Sequence, residues 1–170
     1  MNKTSYLELS IFLLLIISKL SSIYINISPF IAVIVVGAYF VTNEYKLLLM
    51  IFIVQFISDL HYGLHISNLS VYISYLIMTW MLYKGERIFS LHRSLILGFC
   101  ANLIFYVVSN FGHFLAYSDV YSSTSLSDTY YQGLIFGVYL LLSTIIFIIV
   151  FHTLLAVSRK QLVRSRSTRS

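Results

Sequence analysis

Long apolar runs, separated by short polar stretches, form the main pattern of the chain. Six apolar segments can be marked along it, at residues 5–25, 28–42, 46–60, 69–84, 91–117 and 129–158. A helix needs about 20 residues to cross a hydrocarbon core of about 30 Å. Runs such as IFLLLII are apolar on every side, unlike the alternating strands of outer-membrane barrels. The pattern therefore predicts an all-α, polytopic membrane protein built as a six-transmembrane-helix bundle.

Four of these segments depart from the length or composition of a simple span. Segments two and four are short, so we expect them to be extended by their flanks or to be partly re-entrant, and segment six is long. Lys19 interrupts the end of the first segment, and no clear cleavage site of small residues follows it. The first segment is therefore interpreted as a retained helix rather than a secretory signal peptide.

Composition supports the membrane class and gives no sign of catalysis. Of the 170 residues, 59% are hydrophobic and only 10% are charged, whereas a soluble domain has about 25% charged residues. The single cysteine, Cys100, excludes an intramolecular disulfide and is interpreted as a packed apolar side chain. The chain contains no GxSxG, HExxH, Walker or CxxC motif. We therefore expect no enzyme activity and no cofactor, and any ATPase would have to be a separate chain.

The basic residues indicate an orientation. With six crossings, ten of the 11 Lys and Arg residues fall on one side of the membrane: Lys3, Lys46, Lys84, Arg87, Arg93, Arg159, Lys160, Arg164, Arg166 and Arg169. The positive-inside rule then predicts that both termini are cytoplasmic. The chain divides into a six-helix transmembrane domain, 1–158, and a basic tail, 159–170, which we expect to be disordered and to lie on anionic lipid. No nucleic acid is expected as a partner.

Polar residues gather at the outer ends of segments three and five, in SDLHYGLH at 58–65 and SNFGHFLAY at 109–117. Ionisable groups in membrane segments usually mark a pathway, a pocket or a partner. The predicted substrate-binding residues are Asp59, His61, His65, Asn110, His113 and Tyr117. For Asp59, four interpretations stay open: an anchor for a ligand, a counter-ion for Lys19, a metal ligand, or an interfacial carboxylate at a helix end.

A metal site is a weaker alternative for the same residues. His61 and His65 are four residues apart, which places both on one face if the helix continues through them. Together with His113 and a carboxylate they could hold a transition metal. Gly63, between the two histidines, weakens the helical assumption.

Four motifs carry a resemblance to a known family. GAYF at 37–40, SDLHYGLH at 58–65, VYISY at 71–75 and SNFGHFLAY at 109–117 are spaced as in a small bacterial membrane family of unknown function whose members are described as transport proteins. That family resembles the substrate-binding S components of energy-coupling-factor transporters, which take up vitamins and related micronutrients. The resemblance covers about residues 30–155. It implies a substrate site near the outer face and a separate energising module, made of a transmembrane coupling protein and ATPases.

The expected function is thus uptake of a small micronutrient, such as a vitamin, by a substrate-binding membrane protein. Two alternatives stay open: a non-transporting structural subunit of a larger membrane complex, and a transition-metal uptake component. The expected location is the bacterial inner membrane, although an organellar membrane fits the charge pattern equally well.

Overall fold

The part of the chain that the structure describes is mostly helical. A computed structural model describes residues 3–21, 28–84, 88–117 and 125–167, with side chains at 5–20, 28–84, 88–117 and 125–158. These residues contain no strand, and they form six helices: α1 Lys3–Ser21, α2 Phe30–Phe40, α3 Glu44–Tyr62, α4 Asn68–Lys84, α5 Leu91–Tyr117 and α6 Leu126–Ser167. The prediction of an all-α fold with six helical segments is confirmed.

Local signals in the sequence set the two ends of α3. The side chain of Asn43 accepts hydrogen bonds from the backbone N–H of Tyr45 and of Lys46, at 2.9 and 3.4 Å, and so caps the helix. Gly63 follows the last residue with a φ of 106°, a conformation that favours glycine, and its N–H donates to the carbonyl of Asp59. The helix therefore extends two residues beyond the predicted segment at each end.

α2 is a short helix at the centre of the molecule. Its 11 residues span about 16 Å, roughly half of a hydrocarbon core. Nine of them, from Phe30 to Ala38, are buried, and α2 contacts each of the other five helices. A helix that is apolar all round is expected in such an enclosed position. The sequence interpretation of segment two as short is confirmed, while residues 22–27 before it lie outside the described part.

Successive helices run in alternating directions, as their end contacts show. At one end of the bundle, the Lys46 ammonium lies 3.3 Å from the carboxylate of Glu8, and the Tyr83 hydroxyl donates to the carbonyl of Val41. This is the end where α1, α3 and α5 begin, and we call it the basic end. At the other, distal end, Gly112 of α5 lies against Ser70 of α4. α1, α3 and α5 therefore run in one direction, and α2, α4 and α6 run in the opposite direction.

The outer surface of the bundle is apolar. Among the described residues, three helical stretches are long and apolar enough to cross a membrane: Glu44–Tyr62, Leu91–Tyr117 and Leu126–Ser158. Large apolar side chains along them are exposed; Leu49 of α3 and Ile135 of α6 are 61% and 68% exposed. Exposed apolar patches of this extent indicate a surface that contacts lipid or another protein.

α6 continues past the predicted end of segment six at residue 158. It has 42 residues and is about 63 Å long. Adding residues to an existing helix needs no new nucleation, so the helix includes residues 159–167. The division of the chain into a membrane domain and a basic tail stays a prediction, since the side chains beyond Ser158 lie outside the described part.

Candidate functional site

A buried carboxylate on α3 is linked to a lysine on α1 through a glutamine amide. Asp59 is only 5% exposed. Gln55 lies one turn before it on the same helix face, as expected for residues four apart, and its Nε2 donates to Asp59 Oδ1 at 2.6 Å. Lys19 Nζ donates to Gln55 Oε1 at 2.8 Å. The Gln55 amide therefore bridges the ammonium and the carboxylate.

Two tyrosines of α4 complete this network. The Tyr72 hydroxyl donates to Asp59 Oδ2 at 2.8 Å, so both carboxylate oxygens accept a hydrogen bond. The Tyr75 hydroxyl donates to Gln55 Oε1 at 3.2 Å. We call these five residues, Lys19, Gln55, Asp59, Tyr72 and Tyr75, the polar chain. It joins α1, α3 and α4 through four side-chain hydrogen bonds.

The polar chain contains one acidic and one basic side chain, Asp59 and Lys19. Burying an isolated charge costs far more than burying a paired one. An ionised Asp59 and an ionised Lys19 give the group a net charge of zero, and the Gln55 dipole connects them. The sequence interpretation of Asp59 as a counter-ion for Lys19 matches this arrangement, with the difference that the contact runs through Gln55.

An aromatic cavity lies beside Lys19, near the start of α2. Its volume is about 140 Å³, and its lining includes Lys19, Phe30, Tyr75, Phe105, Phe136 and Leu140. The Tyr75 ring stacks on Phe105 with centroids 5.8 Å apart and meets the edge of Phe30 at 5.5 Å. Lys19 Nζ lies 5.3 Å from the Phe30 ring centroid, within the range of a cation–π interaction. The cavity thus presents aromatic walls and one ammonium group.

A second, larger cavity lies between α1 and α3 and shares Lys19 with the first. It has a volume of about 380 Å³, and Leu20, Ser58, His61 and Tyr62 also line it. Because Lys19 lines both spaces, its side chain stands between the α1–α3 cavity and the aromatic cavity. Of the histidines predicted to bind substrate, His61 is the one that this arrangement places near the polar chain.

His61 and His65 do not share a helix face, contrary to the expectation from their spacing. α3 ends at Tyr62, and the positive φ of Gly63 turns the chain before His65, which is exposed in the following turn. The i, i+4 argument is therefore wrong for this pair, because glycine ended the helix between them. His65 lies outside both cavities described above.

The polar residues of α5 form a separate group. The described part of α3 makes no contact with α5, because α4 lies between the two helices. Asn110 Nδ2 donates back to the carbonyl of Tyr106 at 2.7 Å, His113 is exposed, and its ring lies 4.7 Å from that of Tyr117. The predicted substrate-binding set is thus divided between α3 and α5 rather than gathered in one pocket.

The separation of α3 from α5 also concerns the predicted transition-metal site. Among the residues that the structure describes, no three His, Cys, Asp or Glu side chains are grouped closely enough to hold a metal ion. His61, His65 and His113 are therefore not brought together, and the geometry gives the metal-uptake alternative no support.

Comparison with known proteins yields one family. A family described as "Family of unknown function (DUF6580)" matches residues 1–166. The chain belongs to this family. No curated protein and no solved structure matches the chain. The family description assigns no activity, so the function of this DUF6580 chain has to be argued from its own residues.

Three members of the polar chain, Gln55, Tyr72 and Tyr75, were not recognised as site residues from the sequence. Gln55 lies within an apolar run, and Tyr72 resembles the aromatic residues that commonly lie at membrane interfaces. Gln55 could have been predicted from its spacing. It lies four residues before Asp59 in an otherwise apolar helix, and side chains four residues apart can contact each other. No sequence signal specifies that Tyr72 of this DUF6580 chain faces α3.

Proposed function

We propose that this DUF6580 chain is a six-span membrane protein that binds a small molecule in the aromatic cavity and passes it across the membrane. In this proposal it acts as a substrate-binding, S-component-like uptake protein, energised by a separate module. The observation that carries the proposal is the polar chain, buried between apolar helices and adjoining the aromatic cavity through Lys19. Buried ionisable groups among apolar helices are costly and are usually kept for function.

The cavity has the features of a small-molecule site. Such sites combine apolar and aromatic walls with a few convergent polar groups. Here the Phe30, Tyr75 and Phe105 rings supply the walls, and Lys19 and Ser28 supply polar groups. The volume of about 140 Å³ is close to that of an engineered cavity of about 150 Å³ that holds benzene. The space therefore suits a molecule, or part of one, with a single ring.

The six-span topology is supported by the charges at the basic end. Lys46, Lys84 and Arg93 all lie near helix ends of that side, and the Lys46–Glu8 and Tyr83–Val41 contacts join its helices. Enrichment of Lys and Arg on one side is typical of cytoplasmic ends. α2 is too short to span lipid alone, yet it is enclosed by the other helices, and short helices are tolerated at membrane depth when protein surrounds them.

Cysteine labelling tests this topology. In a Cys100→Ser background, we expect a membrane-impermeant maleimide to label Ser127→Cys in intact cells, because Ser127 lies at the distal end. Ser158→Cys should be labelled only after permeabilisation. Both positions are exposed in the structure, so the same reagent can reach each of them. Labelling of Ser158→Cys in intact cells would contradict the proposed orientation.

Native mass spectrometry of protein purified from its own cells tests the capture of a small molecule. We expect the wild type to retain a small molecule and Leu140→Phe to lose it, because Leu140 is buried and lines the aromatic cavity. Leu142→Phe is the matched control, since Leu142 is 50% exposed. Retention that is equal in both variants would place the molecule elsewhere and contradict the proposal.

One observation favours the structural-subunit alternative. Asn102 is buried on α5, and within the described part of the chain its side-chain oxygen has no hydrogen-bond partner. It lines a groove of about 200 Å³ between α5 and α6, beside Gly137. A helix of another membrane chain that presents a donor would satisfy this oxygen. Under this alternative, Asn102→Leu would abolish co-purification of that chain and leave small-molecule retention unchanged.

A further inference from the structure

The charged groups of the polar chain differ in their access to the aromatic cavity. Lys19 lines the cavity, and the described residues that line it include no carboxylate. Asp59 lies behind Gln55, which donates to Asp59 Oδ1 and accepts from Lys19. A ligand in the cavity therefore meets an ammonium group and aromatic rings first. This arrangement favours an anionic ring over a cationic one, because a second cation would be repelled by Lys19.

Binding of an anion would change the charge balance of the site. In their charged forms, Lys19 and Asp59 have a net charge of zero before binding. A carboxylate that approaches Lys19 brings the local sum to minus one in a water-poor environment, which is unfavourable. One proton taken up by Asp59 restores neutrality. The Tyr72 hydroxyl and the Gln55 amide hydrogen-bond to Asp59. Neither group is a cation, so neither can replace the proton in balancing the added negative charge.

The titratable groups around Asp59 leave few other places for this proton. α3 packs against α1, α2 and α4. Lys19 faces the site from α1, and Tyr72 and Tyr75 face it from α4. The buried stretch of α2, Phe30–Ala38, contains no titratable side chain. His61, two residues along α3, lines the neighbouring cavity and is exposed.

We propose that the aromatic cavity binds a single-ring carboxylate together with one proton, which Asp59 holds. The proton comes from the solution on the side where the ligand binds, and it leaves Asp59 when the ligand leaves Lys19. The cycle moves one anion and one proton together and is electroneutral. This inference rests on the proposed function, since it specifies the substrate class of the same site.

The test uses the full-length protein in lipid nanodiscs, with benzoate as the anionic probe and benzamide as its neutral analogue. Titration calorimetry in two buffers of different ionisation enthalpy measures the number of protons taken up. We expect benzoate to bind on the order of tenfold or more tightly than benzamide, because charge-assisted hydrogen bonds are stronger. We expect uptake of about one proton per benzoate, so its affinity should fall about tenfold per pH unit as pH rises.

Two variants assign the proton and the anion to their residues. Asp59→Asn should bind benzoate without proton uptake and without the pH slope. If benzoic acid itself were the species bound, the slope would persist in Asp59→Asn and the inference would be overturned. Lys19→Met should lose the preference for benzoate over benzamide. Glu8→Gln at the basic end is the control and should behave as the wild type.

Failure of this inference can be separated from failure of the proposed function. Equal binding of benzoate and benzamide would overturn the charge argument while leaving a small-molecule site in the cavity. If the wild type binds neither probe, the proposal that the cavity binds a single-ring carboxylate is overturned. The retention experiment with Leu140→Phe would then decide independently whether the cavity holds any small molecule.

Discussion

Replacing Lys19 by methionine removes the ammonium of the polar chain while keeping an unbranched side chain of similar length. Gln55 Oε1 keeps its hydrogen bond from Tyr75, and Asp59 keeps its bonds from Gln55 and Tyr72. What Asp59 loses is the balancing positive charge. We therefore expect a large loss of stability that is electrostatic in origin, with the hydrogen bonds to Asp59 left in place.

The size of this loss follows from burial. Removing one partner of a buried charge pair costs about 3–5 kcal/mol, because the other charge is left uncompensated. Lys19→Met should therefore lower the free energy of unfolding by about that amount. Asp59→Asn alone should also be strongly destabilising. The double variant should lose less than the sum of the two single losses, by about 2 kcal/mol or more, because no uncompensated charge remains.

A matched control is available at the basic end. The Lys46 ammonium lies 3.3 Å from Glu8, and the Lys46 side chain is 55% exposed. Exposed ion pairs contribute about 0–1 kcal/mol, so Lys46→Met should cost little. Unfolding with SDS from mild-detergent micelles, followed by helical circular dichroism, measures both losses on one scale. A cost of Lys19→Met equal to that of Lys46→Met, or additive single losses, would refute the account of the polar chain.

Three further predictions concern packing and metal content. Gly112→Ala should lower thermal stability, because the added Cβ would overlap the side chain of Ser70, and Ser70→Gly in the same chain should recover part of the loss. Tyr83→Phe should cost about 1 kcal/mol in SDS unfolding by removing the bond to Val41; no change would mean that this bond is replaced by solvent. Elemental analysis of the wild type and of His61→Ala should show no stoichiometric transition metal in either.

The helices could be predicted from the sequence because their signals are local. Segment 91–117 coincides with α5. In lipid, a long apolar segment can satisfy its backbone N–H and C=O groups within itself only by forming a helix. The ends of α3 moved outward because Asn43 caps one end and Gly63 stops the other. These capping effects are local as well, so the two ends of α3 could also have been predicted from Asn43 and Gly63.

The arrangement of the site could not be predicted in the same way. Residues at the same depth in a bundle need not be neighbours, and α4 separates Asp59 from Asn110 although both lie toward the distal end. The rotation of each helix decides which residues meet, and a helix that is apolar on every side gives no periodic signal for its rotation. Tyr72 reaches Asp59 because of the rotation of α4, which only tertiary packing fixes.

The most direct test of the central claim is an experimental structure of the protein purified from its own cells in lipid. The account predicts density for a small molecule between the rings of Phe30, Tyr75 and Phe105, with its polar group at Lys19, and Asp59 bonded to Gln55 and Tyr72. A cavity closed by these side chains, with Asp59 facing lipid or a partner protein, would contradict it.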